Sequence, residues 1–299
     1  MNAGAFIAAG AVLLTAFAGS VSAAPARAET VLHHVHGLAY TPDGKSLMVP
    51  AHTGLAVYRE GRWRRAPGPA HDFMGFSVAQ NAIYTSGHPA PGSPLTNPLG
   101  LMKSADGGAT WQPLGLSGES DFHLMAAGYR SQAVYVMNGA PNSRMQQPGI
   151  YFTRDDGKAW QRAAAVGLPE RVTSIAVHPT ASAKVAVGTV EGLYLSEDSG
   201  ARFKRLGEAL PVTAAAYDHD GNHVYYTPAE GAVLHHTALE GAVRKTLPLP
   251  RLGRDFVVYI AQNPVKRSEL AIATRERHVF ISADGGKAWK QIARNGEAL

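Results

Sequence analysis

The chain has 299 residues, 45% hydrophobic and 17% charged, with 32 glycines, 19 prolines and a net charge of +5. That length and turn-rich composition suit one all-β domain with an ample core. No cysteine is present, which excludes disulfides, thiolate chemistry and cysteine zinc sites; the basic residues are scattered, Arg62, Arg64 and Arg65 being the only tight cluster, so there is no nucleic-acid footprint.

In chain order, residues 1–28 come first: an apolar stretch from Ala5 to Gly19, then two small-residue cleavage candidates, Val21-Ser22-Ala23 and Ala26-Arg27-Ala28. This pattern predicts a secretory signal peptide cleaved after Ala23 or Ala28. It is too short to span a bilayer and is followed by no second apolar segment. Its basic n-region is missing, because no Lys or Arg precedes Arg27. The expectation is an exported protein, periplasmic or extracellular, whose mature domain is residues 29–299.

From there one phrase recurs: Ser104 to Trp111, Thr153 to Trp160, Ser196 to Phe203 and Ser282 to Trp289, with aspartates at Asp106, Asp155, Asp198 and Asp284. The aspartates are 49, 43 and 86 residues apart, and the last step is twice 43, which places a decayed copy between Thr237 and Val243. A degenerate copy at Arg59 to Trp63 precedes the first. In each phrase an aspartate caps nearby backbone N–H groups, glycine supplies positive φ and the terminal aromatic anchors the turn, so the phrase is structural. A fixed period of this size marks a repeat architecture. The phrase resembles the Asp-box (BNR) repeat of sialidases, sortilin-like receptors and photosystem assembly factors. The resemblance implies a β-propeller of four-stranded blades and no particular activity.

Six inner-strand segments align: Val35–Ala39, Phe73–Ser77, Phe122–Ala126, Val172–Ala176, Val212–Ala216 and Val257–Ala261. Six blades are expected, with seven as the alternative. In such a ring the starts of the inner strands and the tips of the second strands share one mouth of the channel, and the Asp boxes lie on the opposite face. The inner-strand column reads His36, Met74, His123, Thr173, Thr213, Val258, and two residues earlier His34, Asp72, Asp121, Arg171, Pro211, Phe256. Metal-competent side chains therefore crowd the first three units. Apart from Met1, all the methionines (Met48, Met74, Met102, Met125, Met137, Met145) and seven of the thirteen histidines lie in those units.

Imidazole binds copper and zinc, and thioether sulfur favours copper(I). His34, His36 and His123, with Met74 as a soft ligand, are the candidate metal site; His52, His71 and His88 are secondary candidates. The competing reading makes these histidines hydrogen-bonding partners in a structural network, as expected also for His178, His219, His223, His235 and His236. A second class is a glycoside hydrolase acting on a glycan at the mouth, for which Asp72 and Asp121 are the carboxylates of choice, with Glu119, Glu191 and Glu230 nearby. True sialidase chemistry is disfavoured: no Arg-Ile-Pro phrase opens the first inner strand, and only Arg171 and Arg275 approach the positions of the arginine triad. A third class is a protein-binding scaffold or assembly factor, using the proline-rich loop from His88 to Pro98 and the excursion from Asn138 to Pro148, either of which also suits a lid over a small ligand.

Beyond the boxes, the phrases Met74-Gly75-Phe76-Ser77, Gly87-His88-Pro89-Ala90-Pro91-Gly92-Ser93 and Glu119-Ser120-Asp121-Phe122-His123-Leu124-Met125 are similar to those of exported bacterial BNR-repeat proteins commonly labelled glycosylhydrolase. That resemblance covers nearly the whole mature chain. It implies a propeller and export, and it carries no catalytic residues across.

Overall fold

The computed structural model describes Met1, residues 32–241 and residues 244–299. The leader reading and part of the decayed fifth box turn fall outside those residues. The chain forms six antiparallel sheets in sequence order, five of four strands and a last one of five. Blades I to VI occupy residues 39–65, 72–115, 125–162, 172–206, 212–248 and 257–298. This is a six-bladed all-β propeller, and no sheet is left over for a seventh blade among the described residues. No described helix is long and apolar enough to cross a membrane.

Each blade is a meander, and the reason is local. Runs of β-branched and aromatic residues are punctuated by glycines at positive φ, so the chain reverses after each strand and pairs with what it has just made. Second strands are the most enclosed: Leu47–Ala51, Val185–Thr189 and Leu270–Thr274 are buried at every position. Blade faces stack on one another, so these strands have no solvent side and read as continuous apolar runs instead of alternating.

The box turns share one hydrogen-bond pattern. In all four, the Ser or Thr hydroxyl donates to the aspartate at 2.8 Å and accepts from the second-turn glycine N–H at 2.8–2.9 Å. The carboxylate then accepts from the N–H four residues on, at Thr110, Ala159, Arg202 and Ala288. These bonds hold all four carboxyls below the usual range; Asp106, which also takes the Thr110 hydroxyl, lies at about 2. In blade I the phrase has contracted to a two-residue turn, Glu60-Gly61, both at positive φ (52° and 78°), as a type I′ hairpin requires.

The ring closes without an exchanged strand. Leu32 N–H donates to Gly296 O at 2.6 Å, the Arg277 guanidinium holds His33 O, and Trp63 Nε1 donates to Ile292 O at 2.7 Å. One apolar cluster, including Leu32, Tyr58, Ala271 and Ile292, runs across the seam.

The inner strands are irregular where they reach the mouth. In blades IV, V and VI the ladder skips Thr173, Thr213 and Val258, and in blade II it breaks between Phe73 and Phe76. In blades I and III pairing starts only at Ala39 and Met125, four and three residues beyond the starts expected from sequence. Blade I has an evident cause: Pro50 has no N–H to continue the ladder, although its carbonyl still accepts from His36 N–H at 3.2 Å. The aligned column from His36 to Val258 is thus the ring of positions where the strand leaves regular pairing, a place where side chains are re-aimed.

Candidate functional site at the channel mouth

Around the axis lies a cavity of about 330 Å³ walled by the six inner strands, His36 and His123 among its lining residues. At its mouth the two halves of the ring differ. In blades IV and V the column hydroxyls are absorbed by neighbours, Thr173 Oγ1 donating to Val212 O at 2.6 Å and Thr213 Oγ1 meeting Thr227 Oγ1 at 3.0 Å. In blades I to III the corresponding side chains are titratable and form two linked groups.

The first group comes from blade I and the start of blade II. His34 and His36 precede the inner strand, two residues apart, so their rings share one side and stack at 5.4 Å with 14° between planes. His52, in the turn between the second and third strands, sets its ring edge-on to both, at 4.2 and 5.1 Å. Its Nδ1 lies 2.6 Å from Asp72 Oδ2, at the first residue of the inner strand of blade II. His36 Nε2 and Asp72 Oδ1 are buried and have no hydrogen-bond partner. Burial lowers His36 to about 4, against an opposing pull from Asp72, and lowers His34 in the same direction.

The second group joins blades II and III. Asp121 Oδ2 receives His123 Nε2 at 2.6 Å and His88 Nε2 at 3.2 Å, while Asp121 Oδ1 is buried and unpaired. Its hydrogen bond to Asp121 raises the His123 pKa, and Asp72 pulls the same way, which places the two groups within electrostatic reach of each other. His88 is oriented from behind by Asn97 Oδ1, 2.7 Å from its Nδ1.

The surrounding loops are built, not slack. His71, buried, accepts the Ala90 N–H through Nδ1 at 2.9 Å, and Gly118 N–H closes on Pro98 O at 2.7 Å, so the proline-rich loop is pinned at both ends. Glu119 is occupied by the N–H and hydroxyl of Ser143, and Asn142 reaches Ser120, which ties the second excursion to the first. Glu191, Glu230, Arg171 and Arg275 are exposed and take no part in either group.

Of the sequence candidates, the structure brings His34, His36 and His52 together with Asp72, and His88 and His123 together with Asp121. His52 stands beside the His34–His36 pair, where the sequence column placed His123. Met74 is half-buried in the bulge of blade II, and no described contact joins its sulfur to the histidines. His71 serves the loop. The carboxylate partners of His52 and His88 had a signal in sequence: each His sits at a second-strand tip, one hairpin away from an aspartate that opens an inner strand. Asn97 had none, because only the folded loop brings it to His88.

Away from the mouth, the histidines expected to be structural make local contacts. His178 Nδ1 accepts from the Ala181 N–H at 3.0 Å, and His219 Nε2 pairs with Gln262 O at 3.1 Å. His223 meets the buried Asp218 at 3.2 Å, with His236 stacked over Tyr225.

No protein-family model matches the chain. Among curated proteins it is 27% identical over 222 residues to an oligoxyloglucan-reducing end-specific xyloglucanase of Emericella nidulans, over 67% of this chain and 25% of that protein. The chain thus spans about a quarter of the length of that relative. Among solved structures it superposes on a Niastella koreensis GH74 enzyme with a TM-score of 0.59 at 15% identity, covering 89% of this chain and 46% of the other. An ancestral GH74 enzyme gives 0.54 at 14% identity, with 89% and 39% covered. YCF48 bound to D1 peptide gives 0.51 at 17% identity, with 88% and 82% covered. At such identities the structural matches speak to the propeller fold.

Proposed function

We propose that the chain is an exported Asp-box propeller acting on carbohydrate, with the mouth between blades I and III as a glycoside hydrolase site for β-glucan oligosaccharides of the xyloglucan type. One observation carries the reading: Asp72 and Asp121 open the mouth side of consecutive blades, and each has one oxygen held by histidine and the other buried without a partner. Glycosidic cleavage needs a pair of carboxyl groups on either side of a bond, one protonating the leaving oxygen and the other acting on the anomeric carbon directly or through water. The glycoside hydrolases among the relatives support the substrate class.

The two carboxyls are held alike, Asp121 Oδ2 by His123 and His88 and Asp72 Oδ2 by His52, and each keeps Oδ1 for the substrate. One of the pair serves the leaving oxygen and the other the anomeric carbon. The pinned proline loop and the Asn142–Ser120 bridge form the rim against which a sugar chain rests.

The test is steady-state hydrolysis of xyloglucan oligosaccharides and aryl β-glucosides by chelator-treated protein. Wild type turns over, and Asp121→Asn lowers kcat by about 10²- to 10⁴-fold with an unchanged melting temperature. Turnover indifferent to Asp121→Asn, or no turnover by wild type, removes the hydrolytic reading.

A further inference from the structure

Three clusters of carboxylate and imidazole are found among the described residues, and they are not equivalent. In the blade V cluster, Asp218 is already used: Oδ1 accepts the N–H groups of Asn222 and His223, and Oδ2 faces His223 and His236 at 3.2 and 3.5 Å. In the blade VI cluster, Asp255 Oδ1 caps the N–H groups of Phe256 and Glu276, and His278 Nδ1 accepts from Asn295 N–H. Those two build turns, although each also leaves one buried atom without a hydrogen bond, His236 Nε2 and Asp255 Oδ2. The cluster of His34, His36 and His52 builds no turn and consists of imidazoles alone.

We infer that His34, His36 and His52 form a three-nitrogen site for a divalent transition-metal ion, copper(II) or zinc(II), at the blade I side of the mouth. One nitrogen from each lies within 4.8 Å of the others. Donors on a common ion at metal–nitrogen distances of about 2.0–2.1 Å stand roughly 3.4 Å apart, so closure needs only small side-chain rotations. The second line of support is independent of that spacing. Asp72 Oδ2 takes the Nδ1 side of His52 at 2.6 Å and leaves the Nε2 lone pair free for a ligand, the arrangement in which a carboxylate orients a metal-bound imidazole. His36 Nε2 is buried with no partner, and a buried imidazole nitrogen without a hydrogen bond is left unsatisfied until something engages it.

The donor set selects the ion. Three imidazoles without thiolate, and with no described contact from a thioether, suit copper(II) and zinc(II) in preference to copper(I). His34 is exposed, so the fourth coordination position opens to water at the mouth.

The inference goes beyond the hydrolytic reading and stands without it. Where both hold they meet at Asp72, whose Oδ2 would orient the metal-bound His52 while Oδ1 stays free for substrate.

The experiment is calorimetric titration of the full, chelator-stripped chain with zinc sulfate and with copper(II) sulfate, alongside the electron paramagnetic resonance spectrum of the copper form. Expected are one equivalent bound at or below about micromolar Kd and hyperfine coupling to three nitrogens. His36→Gln and His52→Gln each weaken binding by at least about 100-fold, and Asp72→Asn by about 10- to 100-fold. His34→Gln, on an exposed side chain, removes one coupled nitrogen without disturbing the fold. Asp121→Asn retains full metal affinity while losing turnover, which separates the two proposals. Binding weaker than about micromolar in wild type, or affinity that survives the His36→Gln, His52→Gln double substitution, overturns the site.

Discussion

Phe122→Ala is expected to cost about 3–5 kcal/mol of stability, lowering the melting temperature by on the order of 10 °C, and to abolish ligand chemistry at the mouth. Phe122 is 1% exposed, in a cluster with Leu101, Met125 and Tyr151, its ring 6.0 Å from that of Trp160. Its N–H donates to the buried Ser86 hydroxyl at 2.9 Å. The residues on either side are Asp121 and His123, and neither lies in a strand. With no ladder to hold this segment, the Phe122 ring is its anchor, and truncation frees the carboxylate and imidazole together while leaving a large void. Phe122→Leu keeps most of the volume and should lose about 1–1.5 kcal/mol with the site retained. Thermal unfolding of both variants checks the ranking; an alanine variant melting within 2 °C of wild type contradicts it.

At the same seam Gly75→Ala should destabilise by about 3 kcal/mol. A methyl group on Gly75 would overlap the Phe122 carbonyl oxygen and come within 2.6 and 2.7 Å of Met125 Sδ and Cγ. Methionine can swing away, but the carbonyl belongs to the backbone of the next blade and cannot. Gly75 O also accepts the buried Thr85 hydroxyl at 2.6 Å, so the strand carrying Asp72 has no slack on its other side. The glycine is needed for close approach of blades II and III, not for positive φ. Chemical denaturation of Gly75→Ala should show the loss; combined with Phe122→Ala the effects should fall short of their sum, because the cavity left by the ring relieves the crowding. Full additivity would place the methyl group's strain elsewhere.

The architecture was legible in the sequence because its signal is repeated. Four box phrases with Asp106, Asp155, Asp198 and Asp284 report one turn four times, and six apolar segments gave the blade number. The crowding of the mouth in blades I to III was equally readable from His34, His36, Asp72, Asp121 and His123. Their grouping was not. Column alignment treats every blade as regular at the mouth, whereas blade I has Pro50 opposite its histidines and blade II spends Met74 and Gly75 in a bulge. Those irregularities decide which ring meets which carboxylate: His52 reaches Asp72 across a hairpin, and His123 turns to Asp121 two residues back. Asn97 and the loop closure at Pro98 depend on how the excursion from His88 to Pro98 folds back, and no local pattern encodes that.

The two halves of the ring divide the labour of the molecule. In blades IV and V the threonines of the mouth column are satisfied by neighbours, although Ser174 Oγ and Asp255 Oδ2 are buried without a partner in blades IV and VI. Blades I to III leave Asp72 Oδ1, Asp121 Oδ1 and His36 Nε2 buried and unpaired at one end of the channel. Unpaired buried polar atoms are costly, and three of them among the titratable groups of blades I to III fit a place where a ligand completes the hydrogen bonding. The proposed glycan and the proposed dication are two candidate ligands for that shared geometry.

Hydrogen exchange of the full chain, read by mass spectrometry with and without saturating xyloglucan oligosaccharide, addresses this most directly. Protection is expected in peptides containing His34 to His36, His52, Asp72 to Met74, His88 and Asp121 to His123, with the four box turns unchanged. Protection confined to the mouth of blades IV to VI or to the box face, or none anywhere, would contradict the assignment of the working surface to blades I to III.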